Sequence, residues 1–223
     1  MPLITTVLFD LDDSLLDTFQ ARVDALTEAF QAGGVVHITG EQVAVGLRGN
    51  QLRSIVDELK ETAGSQFDLL GCYRQAYYRK GLVPPVFAGI RDLVASLQAR
   101  GIKLGVVTQK ERVYQLDGRD CGAVCELRST GLADFFPITV GFEDVAKHKP
   151  DPEGIHKALR ELGGTPEATL FVGDSPADIG AALAAGCVPC HAVWALPEAH
   201  RSLDGLTPQH VLEAPQQVES LLR

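Results

Sequence analysis

Short apolar runs rich in β-branched residues recur along this chain. Three of them end on a polar residue, and helical patterns lie between them. Leu3 to Phe9 runs into Asp10, residues 102–107 (IKLGVV) into Thr108, and residues 169–172 (TLFV) into Gly173 and Asp174. Weaker runs lie at 137–142 (PITVGF) and 191–194 (HAVW), and Val211-Leu212 is a short sixth. A run that is apolar at successive positions, not alternate ones, suits a strand buried on both faces. Between the runs, Ile90, Leu93, Val94 and Leu97 share one helical face ahead of Gly101. Ile155, Leu159 and Leu162 share another, and residues 177–185 form a small-residue helix before Gly186. Strands alternating with helices predict an α/β fold: a Rossmann-like parallel sheet with helices on both faces. Ligands of such sheets bind beyond the carboxyl ends of the strands.

One segment breaks the alternation. Val23, Leu26 and Phe30 are spaced for a helix, as are Leu52, Ile55, Val56 and Leu59, and then Leu69, Tyr73 and Tyr77. The pattern predicts an inserted all-α domain over 16–84, with the α/β core domain formed by 1–15 and 85–223. Pro84-Pro85 would make a stiff strap between them. A length of 223 residues, about 1.5 average domains, suits that division.

Composition removes several functions. Lys plus Arg number 20 against 29 Asp plus Glu, a formal charge of −9, and nucleic-acid binding needs a basic surface instead. No apolar run is long enough to span a membrane. The first ten residues lack a basic stretch and a cleavage pattern, so no secretory signal is expected. Five cysteines, an odd number, argue against a disulfide framework and fit a cytoplasmic protein with reduced thiols. An acidic surface repels anions, so any anion site must build its own positive field.

The strand ends carry the chemistry. Asp10-Leu11-Asp12-Asp13-Ser14 places two carboxylates two residues apart, a pair suited to a nucleophile and a general acid/base; Asp13 or Ser14 also suits a helix N-cap. Thr108-Gln109-Lys110 can hold a phosphoryl oxygen through a hydroxyl and a backbone N–H, although a threonine alone is more often a cap. In Lys149-Pro150-Asp151-Pro152 the prolines stiffen a loop that could point Lys149 inward as a fixed charge, where a lone loop lysine is usually solvated. Gly173-Asp174-Ser175-Pro176-Ala177-Asp178 adds two more carboxylates beside a glycine that permits close approach. With Asp10 and Asp12 they form a hard oxygen cluster of the kind Mg²⁺ prefers, while Asp178 can also cap the next helix.

In this order the motifs resemble those of the haloacid-dehalogenase-like hydrolase superfamily. Within it the chain is similar to the phosphoglycolate phosphatase and β-phosphoglucomutase branch, which carries a small helical cap between the first and second motifs. The resemblance covers nearly the whole chain. It implies a Mg²⁺-dependent phosphatase of a small phosphorylated metabolite, phosphoglycolate-like or a sugar phosphate, working through an aspartyl-phosphate. Asp10 would attack phosphorus. Asp12 would protonate the leaving alcohol and later activate water. Thr108 and the Gln109 backbone would bind the phosphoryl group, and Lys149 would neutralise it. Asp10, the Asp12 carbonyl and Asp174 would hold Mg²⁺, with Asp178 in support. Ser14 would contribute a hydroxyl on the substrate side, and Leu47-Arg48-Gly49 resembles the cap loop that faces substrate. Asp13 stands where glycine is commonest, Ser14 where threonine is, and Gln109 where Asn or Ser is. Residues 114–128, with Cys121 and Cys125, exceed the family's usual length and are expected to form a surface loop.

Several rivals differ in what they need. Dehalogenases of the superfamily lack the second aspartate, which is present here as Asp12. A β-phosphoglucomutase-type phosphomutase would share every core residue. Cys187-Val-Pro-Cys190-His191 matches a haem-attachment pattern, and Cys121 with Cys125 could add zinc ligands, but small apolar residues at the start of a strand explain the first as well. A non-catalytic scaffold would not need the full set of polar strand ends. The expected partner is a small phosphorylated metabolite, with neither nucleic acid nor membrane, for a monomer or homodimer.

Overall fold

The computed structural model describes residues 3–48, 52–64, 66–79, 81 and 83–222, without the side chains of 52–54. It contains a six-stranded parallel sheet with helices on both faces. The strands are β1 (Thr6–Phe9), β2 (Lys103–Val107), β5 (Ile138–Val140), β6 (Thr169–Gly173), β7 (Val188–Ala192) and β8 (His210–Leu212). Their order across the sheet is β5-β2-β1-β6-β7-β8. β1 is central, in register with β2 on one side and β6 on the other (Phe9 opposite Val106 and Val172). From β1 the chain goes first to one neighbour and later to the other, so a crevice opens at the carboxyl ends of these three strands.

All four residues of β1 are buried. Val7 and Phe9 join one core and Leu8 the other, the two-residue period of a strand covered on both sides. The first core receives α5 (Ile90–Ala99) through Ile90, Leu93, Val94 and Leu97. It also receives α6 (Ala123–Ser129) through Ala123 and Leu127. The second receives α7 (Glu153–Leu162) and α8 (Pro176–Ala185), whose Ala181, Ala182 and Ala185 let the helix lie close to the sheet. Gly163 and Gly186, both left-handed, end these two helices.

Two expectations need correction. The fifth large-sheet strand runs over Val188–Ala192, not 191–194, so Pro189 and Cys190 lie inside it and Trp194 beyond it. Residues 114–128 are not a surface loop. A hairpin of β3 (Tyr114–Leu116) and β4 (Arg119–Cys121) turns at Asp117 and Gly118, both at positive φ, and then runs into α6. Its feet close on each other: Ala123 N–H donates to the Glu111 carbonyl at 2.9 Å and Val124 N–H to Arg112 at 3.1 Å. The extra length is therefore a small insertion between two regular elements, with Cys121 buried at its base.

The chain divides into two compact units, Met1–Asp17 with Pro84–Arg223, and Thr18–Val83. The second unit holds α1 (Phe19–Ala32), α2 (Gly40–Arg48), α3 (Leu52–Ala63) and α4 (Leu69–Tyr78) around Val23, Phe30, Val35, Ile38, Val43 and Leu59. Asp68 caps α4, its carboxylate accepting from Gly71 N–H at 2.8 Å. In this unit the Arg48 guanidinium lies over the Phe19 ring, 3.8 Å from its centroid. Gly49 lies outside the described residues.

Candidate active site

β1, β2 and β6 deliver Asp10, Thr108 and Asp174 to neighbouring positions because each polar residue directly follows a strand of the same parallel register. Hydrogen bonds between strands hold the ends in place: Asp10 N–H donates to Val172 and Thr108 N–H to Val140, each at 2.9 Å. After Asp10 the chain turns sharply. Asp13 takes a left-handed φ of 58°, a conformation that aspartate tolerates better than most residues, and its N–H donates to Leu16. Ser14 follows, fully buried, with no hydrogen-bond partner for its hydroxyl among the described residues.

Lys149 is the centre of the site. Its ammonium donates to Asp10 Oδ1 at 2.5 Å, to Asp178 Oδ1 at 2.6 Å and to the Val107 carbonyl at 3.2 Å. The loop that carries it includes a cis peptide bond to Pro150, and the Gln109 side-chain amide donates to the Lys149 carbonyl at 2.9 Å. The Gln109 amide nitrogen thus braces the lysine loop. Asp178 caps α8 while it holds Lys149. Its Oδ2 accepts from Ser175 N–H at 3.0 Å and from Ser175 Oγ at 2.6 Å. Gly173 makes this possible, since a Cβ there would lie 2.4 Å from Asp178 Cγ.

Electrostatics follow from burial. Desolvation pushes the Asp10 carboxyl up to about 7; Lys149 opposes the rise, and Asp178 and Asp12 add to it. Burial disfavours the Lys149 ammonium as well, but Asp10 and Asp178 outweigh that and hold its pKa above the ordinary lysine range.

Asp10, Asp174 and Asp178 each offer a carboxylate oxygen, and the three oxygens lie within 4.8 Å of one another. Among the described residues this is the one grouping of three or more His, Cys, Asp or Glu side chains that could hold a metal. An all-oxygen set of this kind fits a hard divalent cation. A buried carboxyl whose ionised form is costly is also one that a cation would favour. Cys187 and Cys190 are packed into the apolar cores on the two faces of the sheet, and burial pushes their thiols up to about 12. His191 Nε2 donates to the Asp174 carbonyl, 3.1 Å away.

A second buried lysine sits beside the first, and its role is not readable from the motif alone. Lys110 Nζ donates to Asp12 Oδ1 at 2.8 Å and to Glu126 Oε2 at 2.7 Å. Glu126 is only 3% exposed. The sequence does hold a signal for it. Ala123, Glu126 and Leu127, with Thr130 at the C-cap, are buried at helical spacing, so an acid, Glu126, occupies a core-facing position of α6.

Comparison with known proteins agrees with the geometry. Residues 7–192 match the family described as haloacid dehalogenase-like hydrolase. The pyrophosphatase PpaX of Halalkalibacterium halodurans is 32% identical over 180 residues, covering 79% of this chain and 77% of that protein. The phosphoglycolate phosphatase of Yersinia pseudotuberculosis is 32% identical over 194 residues, covering 84% and 79%. Among solved structures, a haloacid dehalogenase-like family hydrolase from Streptococcus pneumoniae superimposes with a TM-score of 0.75 at 23% identity, covering 99% of each chain. Among the described residues no helix is long and apolar enough to cross a membrane.

Proposed function

The chain belongs to the haloacid dehalogenase-like hydrolase family, and on that premise we propose that it is a Mg²⁺-dependent phosphatase of small phosphorylated metabolites. The observation that carries the reading is the buried Asp10 carboxylate, held by Lys149 and flanked by Asp12, Thr108 and the Asp174–Asp178 pair. The relatives' names point to pyrophosphate or phosphoglycolate as the substrate class.

In this reading an Asp10 oxygen forms a bond to phosphorus as the bond to the leaving oxygen breaks. Asp12 gives that oxygen a proton. Asp12 then takes a proton from water, which attacks the aspartyl-phosphate and frees inorganic phosphate and Asp10. Thr108, the Gln109 backbone and Ser14 hold the phosphoryl oxygens, and Lys149 offsets the charge that gathers on them. The unpartnered Ser14 hydroxyl supports its part in this list. Phosphoryl transfer depends mainly on positioning and charge stabilisation, which such a set supplies.

Charge also favours a metal. With every group ionised, Asp10, Asp12, Asp174, Asp178 and Glu126 exceed Lys110 and Lys149 by three negative charges. A phosphate dianion would be repelled by such a surplus. Mg²⁺ held by Asp10, the Asp12 carbonyl and Asp174, with Asp178 behind them, would supply that missing positive charge. Arg48 and Gly49 are proposed to contribute to substrate choice. The helical unit is proposed as the cap domain.

The test is phosphate release from a panel containing pyrophosphate, phosphoglycolate and sugar phosphates, with Mg²⁺ and with chelator. Mg²⁺-dependent release concentrated on one or two compounds is the expected result. A phosphate-transferring but non-hydrolysing enzyme would point to a mutase instead. Asp10→Asn should lower turnover by roughly 10³-fold or more, and a fully active variant would remove the nucleophile from the scheme.

A further inference from the structure

We propose that Glu126 is a positioning residue for the reaction: it pins the Lys110 ammonium, which in turn fixes one oxygen of Asp12. The inference rests on the reading of Asp12 as proton donor to the leaving group.

Three observations carry it. Glu126 occupies a core-facing position of α6 beside Ala123 and Leu127, where an apolar side chain would pack at no electrostatic cost. The acid is therefore not explained by packing. Second, its Oε2 and Asp12 Oδ1 lie 2.7 and 2.8 Å from the same ammonium, whose side chain is only 10% exposed. Third, the Lys110 backbone is fixed at both polar groups. Its N–H donates to Thr108 Oγ1 at 3.1 Å, and its carbonyl accepts from Phe142 N–H at 2.9 Å. The four-carbon stem of a lysine is flexible by nature. Glu126 gives this ammonium a second carboxylate anchor besides Asp12. A proton donor must sit within hydrogen-bond reach of the leaving oxygen, so a carboxylate held at one oxygen loses less time in unproductive rotamers.

The test uses the full-length protein and two monoesters, an alkyl phosphate with a poor leaving group and p-nitrophenyl phosphate with a good one. The quantity read is kcat/KM, which reports transfer to Asp10. Glu126→Leu is expected to lower kcat/KM on the alkyl ester about tenfold or more and on the nitrophenyl ester about twofold or less. Glu126→Gln keeps an acceptor oxygen at the same reach and should restore most of the loss. In an Asp12→Asn background Glu126→Leu should cost nothing further. An equal loss on both esters, or a full additional loss in the Asp12→Asn background, would overturn the proposal.

Should Glu126→Leu fail to fold, the pair Lys110→Met/Glu126→Leu removes both buried charges together. It should match Lys110→Met alone, and a further loss beyond that variant also overturns the proposal. The underlying reading fails separately. If Asp12→Asn keeps wild-type activity on the alkyl ester, Asp12 is not the proton donor, and the proposal falls with it. If Asp12→Asn loses that activity while Glu126→Leu does not, the proposal alone falls.

Discussion

Two buried lysines sit in the same crevice, and each lies between two carboxylates. Lys149 joins Asp10, at the end of β1, to Asp178, at the start of α8. Lys110 joins Asp12 to Glu126. The patterns match, but the supports differ. Lys149 is held by a stiff loop and by an aspartate that also caps a helix, so its partner has a structural duty of its own. Glu126 instead lies in the first turn of the short helix α6, on its buried face. The first cluster is woven into the fold, and the second is added to it. Breaking the first should therefore damage both stability and chemistry, and breaking the second mainly chemistry.

The largest effect is expected for Lys149→Met. It leaves Asp10 and Asp178 facing each other in a buried site, which should cost about 3–5 kcal/mol of stability, seen as a lower denaturation midpoint, and roughly 10³-fold in kcat/KM. Next comes Gly173→Ala. The new Cβ meets Asp178, so the variant should lose about 1–3 kcal/mol and bind Mg²⁺ more weakly by calorimetry, while leaving-group dependence stays as in the wild type. Lys110→Met should destabilise less than Lys149→Met, because Asp12, with 15% of its side chain exposed, lies nearer solvent than Asp10 or Asp178, at 10% and 1%. Its kcat/KM loss of about tenfold should fall mainly on esters with poor leaving groups. Equal stability losses in the two lysine variants would erase the distinction between the clusters.

The smallest effect concerns the chain just after Lys110. Glu143 accepts from Arg112 N–H at 2.8 Å and from Val113 N–H at 3.0 Å. Partial burial pushes its carboxyl up, but these backbone donors and Arg112 outweigh that and hold it below the usual 4.5. A depressed folded pKa stabilises the protein above the unfolded value and ceases to do so as pH falls through the folded one. Glu143→Gln should therefore lower the melting temperature at pH 7 and make less difference near pH 3 to 4. A difference that does not shrink on acidification would show that the carboxylate charge is not what holds this turn.

The strand-end residues were legible because the fold lines them up. Asp10, Thr108 and Asp174 each follow a mostly apolar run without strict alternation, and a parallel sheet brings such ends together. The hairpin at 114–121 was not legible, because its strands are three residues each and half exposed, too short for a two-residue period to show. It also hid Glu126, whose link to Lys110 spans the insertion. At Cys190 the plainer of two readings holds: a haem-like spacing is an ordinary buried position of β7, as expected of a small apolar residue entering a strand.

The closed feet of that hairpin have a practical meaning. Since Glu111 and Arg112 already bond to Ala123 and Val124, the residues between them could be shortened, lengthened or exchanged without moving either root. The turn at Asp117-Gly118 is therefore a ready socket for a grafted reporter.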